Sequence, residues 1–479
     1  MAPSTQSKLQ AGDPVIVNER TGRILPYRPP APGREPHPGR DDPLKHSADG
    51  WVAGMAEHYK DVCPPNLWRI HGQLYDFTDY LDTHPGGRIF LEQTMGSDCT
   101  EAFECHHVRG VNKKLLEKHR VPTPASISPE KVKQHVDRFT YDESFREIKN
   151  FVAEYLKNEL RNPTGATPHW AGVIYLAVVL QFLLVFREAA RRKSFFLATL
   201  AGFLLTGCWG VGHNQVHRGR YTFWNLLRYA MDLTSFSAYE TTVTHALSHH
   251  QNPNTWYDIE VYQFQTLGLY WLTNEPKTSA GYFKKGAFYV LAGVTGPFLV
   301  VTRLLQRIFL EKLNVFQSDV IIPTAMVAYM CRKAGVKKGI ALAMTMWYAF
   351  AAYFVPMSLT AHHSMDWETG APRSYHDGED DMERDFAAHQ ILSTLDHSVG
   401  LNDYLSLTLF AHLNVHTVHH LFPTIDRVFH RKILNALLEK NPGKFREIHE
   451  RRDKQNKNFL TDLWPSVFKF AMERRFERV

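Results

Sequence analysis

A few uninterrupted apolar runs stand out from a chain that is otherwise polar. Residues 170–186 and 195–212 contain no charged side chain and are separated by a short basic segment. Each run approaches the length of a helix that spans a bilayer, about 17–25 residues. The tandem predicts a membrane hairpin, and a buried core helix is the alternative for each run. Residues 340–359 predict a further span, whereas 286–301, interrupted by Pro297, fits an interfacial segment as well.

The polar parts of the chain differ in composition. Residues 1–44 are rich in Pro, Gly and Arg and cannot bury a core, which predicts a disordered tail. Residues 45–125 have the composition of a small soluble domain, with short alternating stretches that predict strands and turns. Residues 126–168 predict a partly helical, amphipathic connector to a membrane-embedded domain over 169–430. Residues 431–479 are basic and predict a solvated cytosolic segment.

Composition narrows the classes of function. Charged residues are 22% of the 479 residues and the formal net charge is +6, a balance that does not favour a nucleic-acid-binding protein. The five cysteines are widely spaced and form no Cys-x-x-Cys pair. A disulfide framework is therefore not expected, and a reducing, cytosol-facing environment is. The number of histidines, 26, is unusually high, so the candidate functional residues are histidines.

A histidine followed by Pro-Gly-Gly interrupts the soluble segment at His84. Proline ends the preceding structure and exposes the histidine, and the two glycines allow the backbone to pass close to a flat, bulky group. A second axial histidine is available further along the chain at His106 or His107. A tight turn with a surface histidine is the alternative for the tetrapeptide alone.

The wider sequence around this motif resembles a cytochrome b5 domain of the kind fused to front-end fatty-acid desaturases. The resemblance rests on the tetrapeptide itself, on Tyr-Asp-Phe-Thr at 75–78 and on the stretch 96–103. It implies haem b with His84 and His107 as axial ligands, and His106 is the competing candidate for the second position. A haem iron held by two histidines has no open position and carries electrons rather than binding oxygen.

Three further histidine clusters lie within or beside the apolar part of the chain. They have the spacings HxxxH, HxxxHH and HxxHH, and consist of His213 and His217, of His245, His249 and His250, and of His416, His419 and His420. On a helix, offsets of three and four place the imidazoles of one cluster on one face. The offset of five between His245 and His250 requires a helix end or a local distortion.

The donor set indicates the kind of metal site. Eight histidines exceed the ligands that one ion takes, so two ions at about 3.5–4 Å or somewhat more are the economical interpretation. Imidazoles without thiolates argue against a structural zinc site. The HExxH motif is absent from the sequence, so a zinc protease is not supported. Any one of these histidines alone is more often a surface or core residue, and only their combination predicts a metal centre.

Boxes of these spacings, spread among apolar segments, resemble the membrane fatty-acid desaturase and hydroxylase superfamily. Residues 411–423 are similar to the third box of the cytochrome b5-fused front-end desaturases, and the whole arrangement is similar in particular to cytochrome b5-related proteins. Front-end desaturases usually carry Gln at the position of His416, whereas other branches carry His. The resemblance implies an α+β haem domain followed by an all-α membrane domain, with two iron ions held by the eight histidines.

The resemblance also implies further ligands. The stretch that contains His389 and His397 is similar to the region where the family often carries an extra ligand. His397 is the first candidate for that ligand and His389 the second. The roles of His362, His363 and His412 are left open between support of the metal ligands and packing. No catalytic residue is expected beyond the metal ligands.

The function implied is that of an O₂-dependent oxidoreductase that desaturates a fatty acyl lipid or an acyl-CoA. Electrons would pass from cytochrome b5 reductase to the haem and on to the iron ions. The expected location is the endoplasmic reticulum membrane, with several spans and with the haem domain and the histidine boxes facing the cytosol. A fatty acyl or sphingolipid hydroxylase on the same site is one alternative, and a non-catalytic haem electron-transfer partner is another.

Overall fold

A computed structural model of the chain describes most residues between 48 and 451. The described ranges are 15–18, 23–26, 48–125, 127–134, 139–141, 143–218, 223–253, 257–260, 271–272, 317–362, 385–451 and 475–476, with short pieces between 278 and 305. Within the predicted tail, strands β1 (Val15–Asn18) and β2 (Arg23–Pro26) pair in antiparallel register. The rest of that prediction, and most of the predicted interfacial run 286–301, lie outside the described residues.

The N-terminal domain is a small α+β unit with a three-stranded antiparallel sheet. Its strands are β3 (Trp68–Ile70), β4 (Gln73–Tyr75) and β5 (Arg120–Val121), in that order. The two-residue turn between β3 and β4 has positive φ at both His71 and Gly72, which is the backbone that a tight hairpin of this hand needs. Its helices are α1 (Ala48–Tyr59), a 3₁₀-helix (Thr78–Thr83), α2 (Arg88–Thr94), α3 (Thr100–His106) and α4 (Lys113–His119).

The rest of the described chain is almost entirely helical. Its α-helices up to residue 359 are α5 (Pro129–Gln134), α6 (Glu143–Asn158), α7 (His169–Arg192), α8 (Phe195–Val216), α9 (Ala238–Val243), α10 (Ser318–Ala334) and α11 (Val336–Leu359). The α-helices after it are α12 (Phe386–Leu392), α13 (Asp403–Phe410), α14 (Thr417–Leu421), α15 (His430–Lys440) and α16 (Phe445–Arg451). Strands β6 (Trp271–Leu272) and β7 (Arg475–Phe476) form one short parallel pair. The predicted fold class, an α+β domain followed by a helical membrane domain, is confirmed.

Three of the described helices are long and apolar enough to cross a bilayer, namely α7, α8 and α11. They contain the predicted runs 170–186, 195–212 and 340–359. Helix α8 packs closely against α11, because a Cβ at Gly202 would stand 2.3 Å from the carbonyl oxygen of Met346. Small residues allow membrane helices to approach in this way.

Helix α6 lies in the predicted connector and packs into the core of the helical domain. Phe145, Ile148, Val152 and Leu156 recur at intervals of three and four and are all buried on one face. The predicted C-terminal segment likewise begins with a packed helix, since α15 contacts α6. The domain boundaries stay predictions, but both segments contribute to the core.

The N-terminal domain is docked on the helical domain. The indole nitrogen of Trp51 on α1 donates to the carbonyl of Tyr257 at 3.0 Å. The ammonium of Lys149 on α6 binds a carboxylate oxygen of Glu104 on α3 at 2.6 Å. One hydrophobic cluster contains Trp51 together with Leu247 of the second histidine box, so the two domains share a core.

Candidate functional site

His84 and His107 face each other in the N-terminal domain, with ring centroids 6.1 Å apart. His84 ends the 3₁₀-helix that precedes Pro-Gly-Gly, and His107 ends α3. The Nδ1 atom of His84 lies 2.9 Å from the carbonyl oxygen of Gly87, and that of His107 lies 2.8 Å from the carbonyl oxygen of Phe103. Because a carbonyl only accepts, each Nδ1 carries the proton and each Nε2 keeps its lone pair for a metal.

The other candidate, His106, has a different position. Its Nδ1 lies 2.9 Å from the carbonyl of Ala102, and its ring packs against Phe90 at 5.1 Å. The structure therefore places His107, and not its neighbour, opposite His84.

A cavity of about 750 Å³ opens beside this histidine pair. Apolar side chains such as Phe77 and Leu91 form part of its lining, as a flat hydrophobic group requires. A Cβ at Gly86 would stand 2.8 Å from Cε1 of His84, which explains the glycine. Burial lowers the pKa of His84, and it lowers the pKa of His107 to about 4. Both imidazoles are thus neutral near pH 7, as metal ligands must be, and the site fits a haem.

Nine buried histidines gather into two adjacent groups in the helical domain. The five-histidine group consists of His213, His217, His245, His250 and His419, and the four-histidine group of His249, His362, His416 and His420. Within each group the ligand nitrogens all lie within 4.8 Å of one another. The two groups are in contact, since the rings of His250 and His420 stack at 4.1 Å.

A π-helical turn, Thr244–His249, brings His250 into the five-histidine group. The backbone N–H of His250 donates to the carbonyl of His245 at 2.9 Å, which is the i→i+5 bond of a π-helix. Two residues five apart then share a face, while His249 points to the other group. The local distortion that the sequence spacing requires is present.

Distances between Nε2 atoms fit ligands that share one ion. They are 3.0 Å for His245 and His250, 3.3 Å for His213 and His217, 3.0 Å for His249 and His362, and 2.7 Å for His362 and His416. Two nitrogens bound at right angles, at about 2.0–2.1 Å, lie about 3 Å apart. Among the described residues, the buried Nε2 atoms of His419 and His420 have no hydrogen-bond partner, and a metal ion would satisfy both.

Acceptors outside the two groups hold several Nδ1 atoms. The pairs are Glu260 with His245 (2.8 Å), Asp258 with His249 (2.8 Å), the carbonyl of Ser393 with His362 (2.8 Å) and the side-chain oxygen of Gln390 with His420 (3.1 Å). Each Nδ1–H therefore donates outward and each Nε2 faces its group. His213 differs, because the buried guanidinium of Arg427 donates to its Nδ1 at 2.8 Å.

His397, the predicted ninth ligand, belongs to neither group. Its ring lies edge-on to Phe410 at 5.0 Å, and its Nδ1 lies 3.3 Å from the hydroxyl of Ser398. His362 completes the four-histidine group instead. His362 lies three residues after the apolar run 340–359, and His213 lies directly after the run 195–212, so the position behind an apolar run is a signal in the sequence that could have identified it.

The remaining candidates lie outside both groups or outside the described residues. The Nε2 atom of His389 lies 3.0 Å from the carbonyl of Pro253, and that of His412 lies 2.8 Å from the carbonyl of Asp403. His412 also has a left-handed backbone, with φ of 59°, so 411–423 is not one continuous helix. His363 is not among the described residues. Sequence reasoning did not anticipate the supporting roles of Asp258, Glu260 and Arg427.

Known proteins are similar to both parts of the chain. Residues 53–123 match the family described as cytochrome b5-like haem/steroid binding domain, and residues 193–451 match the fatty acid desaturase family. A cytochrome b5-related protein of Drosophila melanogaster is 29% identical over 393 residues, which cover 78% of this chain and 82% of the fly protein.

Two desaturases are similar over almost the same length. The probable Delta(5) fatty acid desaturase C of Dictyostelium discoideum is 22% identical over 397 residues, 77% of this chain and 84% of that protein. The acyl-lipid (8-3)-desaturase of Mortierella alpina is 23% identical over 398 residues, 76% of this chain and 85% of that protein. The predicted resemblance is confirmed, and the desaturase match covers more than half of the sequence. The chain belongs to the fatty acid desaturase family.

Proposed function

We propose that the protein is a membrane-bound, O₂-dependent fatty acyl desaturase that carries its own haem donor domain. The observation that carries the proposal is the pair of adjacent, buried histidine groups, which offers two ion positions side by side. Such a pair suits the activation of O₂ at two metal ions. The domain that contains His84 and His107 suits the delivery of the electrons that this reaction consumes.

Two iron ions bound by these groups would supply the oxygen chemistry that breaks an unactivated C–H bond, which ordinary acid–base side chains cannot do. The chain itself would supply the ligands of the ions and bury the site. All nine histidines are buried, so the ions would be held away from the protein surface. The carboxylates of Asp258 and Glu260 keep protons on the outer nitrogens of their histidine partners, and the inner nitrogens stay available as ligands.

The haem domain and the first histidine box lie on the same side of the membrane hairpin. The chain enters α7 at His169, turns at Lys193 and Ser194, and leaves α8 at Val216. Two crossings return it to the face from which it started. We propose that this face is the cytosolic face of the endoplasmic reticulum, where cytochrome b5 reductase would reduce haem b held between His84 and His107.

The substrate that we propose is a fatty acyl chain in a membrane lipid, with the acyl-CoA thioester as the other form of the same chain. The Mortierella relative is named as an acyl-lipid desaturase and the Dictyostelium relative as a fatty acid desaturase. These relatives favour neither of the alternatives predicted from the sequence, the hydroxylase and the non-catalytic electron-transfer partner.

Expression of the full chain in a yeast host of defined lipid composition tests this function. We expect a new unsaturated acyl product from the wild-type protein and from a control in which the exposed His169 is replaced, His169→Ala. His419→Ala should give none. A hydroxylated product would support the hydroxylase. A protein that contains haem and two ions but forms no product would support the non-catalytic alternative.

A further inference from the structure

The cavity beside His84 and His107 extends to the metal centre. Part of its lining comes from the N-terminal domain, and part comes from the helical domain, including His217, Arg218 and Thr424. Among the nine clustered histidines, all of which the structure describes, only His217 lines this cavity. The five-histidine group therefore contributes a residue to the haem cavity, and the four-histidine group does not.

His217 reaches from the cavity into the five-histidine group. Its Nε2 lies 3.3 Å from that of His213, and its ring centroid lies 4.4 Å from that of His250 and 4.7 Å from that of His419. Its Nδ1 is buried and has no hydrogen-bond partner among the described residues. The imidazole of His217 thus lines the haem cavity and also belongs to the five-histidine group.

His106 is a third histidine on the haem-domain side of this cavity. It precedes the haem-facing His107 in sequence and lines the same cavity. The Nε2 atom of His106 is buried and has no hydrogen-bond partner among the described residues. His106 and His217 therefore line one cavity, the first from the haem domain and the second from the helical domain.

Packing, rather than a flexible tether, fixes the separation of the two centres. Lys149 of the helical domain binds Glu104 on α3, the helix that ends beside His107. On another side, the hydrogen bond from Trp51 to Tyr257 and a shared hydrophobic cluster attach α1 to the second histidine box. These contacts hold the haem domain in a fixed position on the helical domain.

We propose that electrons from the haem enter the metal centre at the five-histidine group, through His217, and that His106 positions the haem edge against this entry. The proposal rests on the proposed function, because it needs a haem donor and two iron acceptors. In each step one electron would pass from a ferrous haem held by His84 and His107 to a ferric ion held by the five-histidine group. One electron moves, and no bond is made or broken. An ion held by the four-histidine group would be reduced second, by way of the ion in the five-histidine group.

Two neighbouring residues on α14 provide a matched pair of variants, since His419 belongs to the five-histidine group and His420 to the four-histidine group. His419→Ala and His420→Ala are each prepared in the full chain, loaded with haem and iron, and analysed for the content of both. The haem is then photoreduced without O₂, and its reoxidation by the remaining iron is followed by absorbance.

We expect the haem of His420→Ala to be reoxidised at the rate of the wild-type protein. The haem of His419→Ala should be reoxidised more slowly by at least an order of magnitude, although that protein retains the other ion. Equal rates in the two variants, or the opposite order, would overturn the proposal. If the two variants have equal rates and the wild-type protein still forms an unsaturated product, the proposed function stands and only the proposed electron entry is wrong. If the wild-type protein contains no iron, both the proposed function and the proposed electron entry are wrong.

If His419→Ala or His420→Ala loses both ions, His106→Phe tests the proposed electron entry instead. This variant leaves all nine clustered histidines in place. We expect slower reoxidation of the haem, with an unchanged iron content and an unchanged haem spectrum. The exposed His169→Phe is the control and should behave as wild type. If the reoxidation rate of His106→Phe equals that of the control, the proposed entry is wrong.

Discussion

The haem site and the metal centre are both made of buried histidines, but the chain builds them differently. The haem site is local, since His84 and His107 come from one stretch and their outer nitrogens bind carbonyls three or four residues away. The metal centre joins distant stretches between His213 and His420, and acidic and amide side chains such as Asp258 hold its ligands. A local site depends on its own turns, whereas a distributed site depends on the packing of the whole domain.

The difference also concerns charge. No carboxylate hydrogen-bonds the two haem-facing imidazoles in the described part of the chain, as suits a haem iron whose macrocycle already carries negative charge. Asp258 and Glu260 stand behind the metal ligands, where their charge offsets that of bound ions. The two sites should therefore respond independently to substitutions.

The largest effect is expected from His419→Ala, which removes one ligand from the five-histidine group. The distributed centre should lose the ion of the five-histidine group, and the unsaturated product should fall to background, because the remaining ligands no longer complete that ion position. The local haem site should keep its spectrum. Iron per haem, the reduced haem spectrum and the acyl profile measure the three quantities. Loss of the haem spectrum in this variant would show that the two sites are not independent.

A second prediction separates the two neighbouring histidines of the haem domain. His107→Ala should abolish the reduced b-type spectrum, because it removes the imidazole that faces His84 at 6.1 Å. His106→Ala, the matched control, should keep that spectrum, and the iron content should be unchanged in both. Absorbance of the reduced protein and metal analysis measure these quantities. A spectrum that survives in His107→Ala and disappears in His106→Ala would reverse the assignment.

The local site could be predicted from the sequence almost completely, and the distributed site only in part. Pro-Gly-Gly after His84 specifies a backbone and a ligand within a few residues. The three boxes likewise identify eight histidines by their spacing. The offset from His245 to His250 predicts a helix end or a local distortion, and the structure has a π-helical turn there. The spacing of residues does not predict which distant segments of the chain come into contact.

The ninth histidine illustrates this limit. The resemblance pointed to His397, and the stretch before it does run beside the metal centre, since the backbone N–H of Leu395 donates to the carbonyl of Ala361 at 2.8 Å. That pairing, together with the carbonyl of Ser393, directs the ring of His362 into the four-histidine group. The structure therefore brings His362, and not His397, into the four-histidine group, because the side chain that faces this group depends on how two segments pair.

A smaller effect is expected from Asp258→Asn. The carboxylate holds the outer nitrogen of His249, and loss of such a partner typically weakens metal affinity by about 10–100-fold. Iron retained against increasing chelator measures the change, and the exposed Asp79→Asn of the haem domain is the control. The haem spectrum should be the same in both variants. If both also retain iron equally well, Asp258 does not hold the ligand, and the contrast in charge between the two sites loses its support.

The smallest effect concerns the helix that joins the two regions. Ile148 on α6 is fully buried, so Ile148→Val should lower the free energy of unfolding by about 0.5–1.5 kcal/mol. Denaturant unfolding in detergent measures this change, with the exposed Lys157→Arg of the same helix as control. A solvated connector would tolerate both substitutions equally. A difference between them means that α6 belongs to the folded core, and Lys149, one residue after Ile148, then holds α3 of the haem domain from a rigid position.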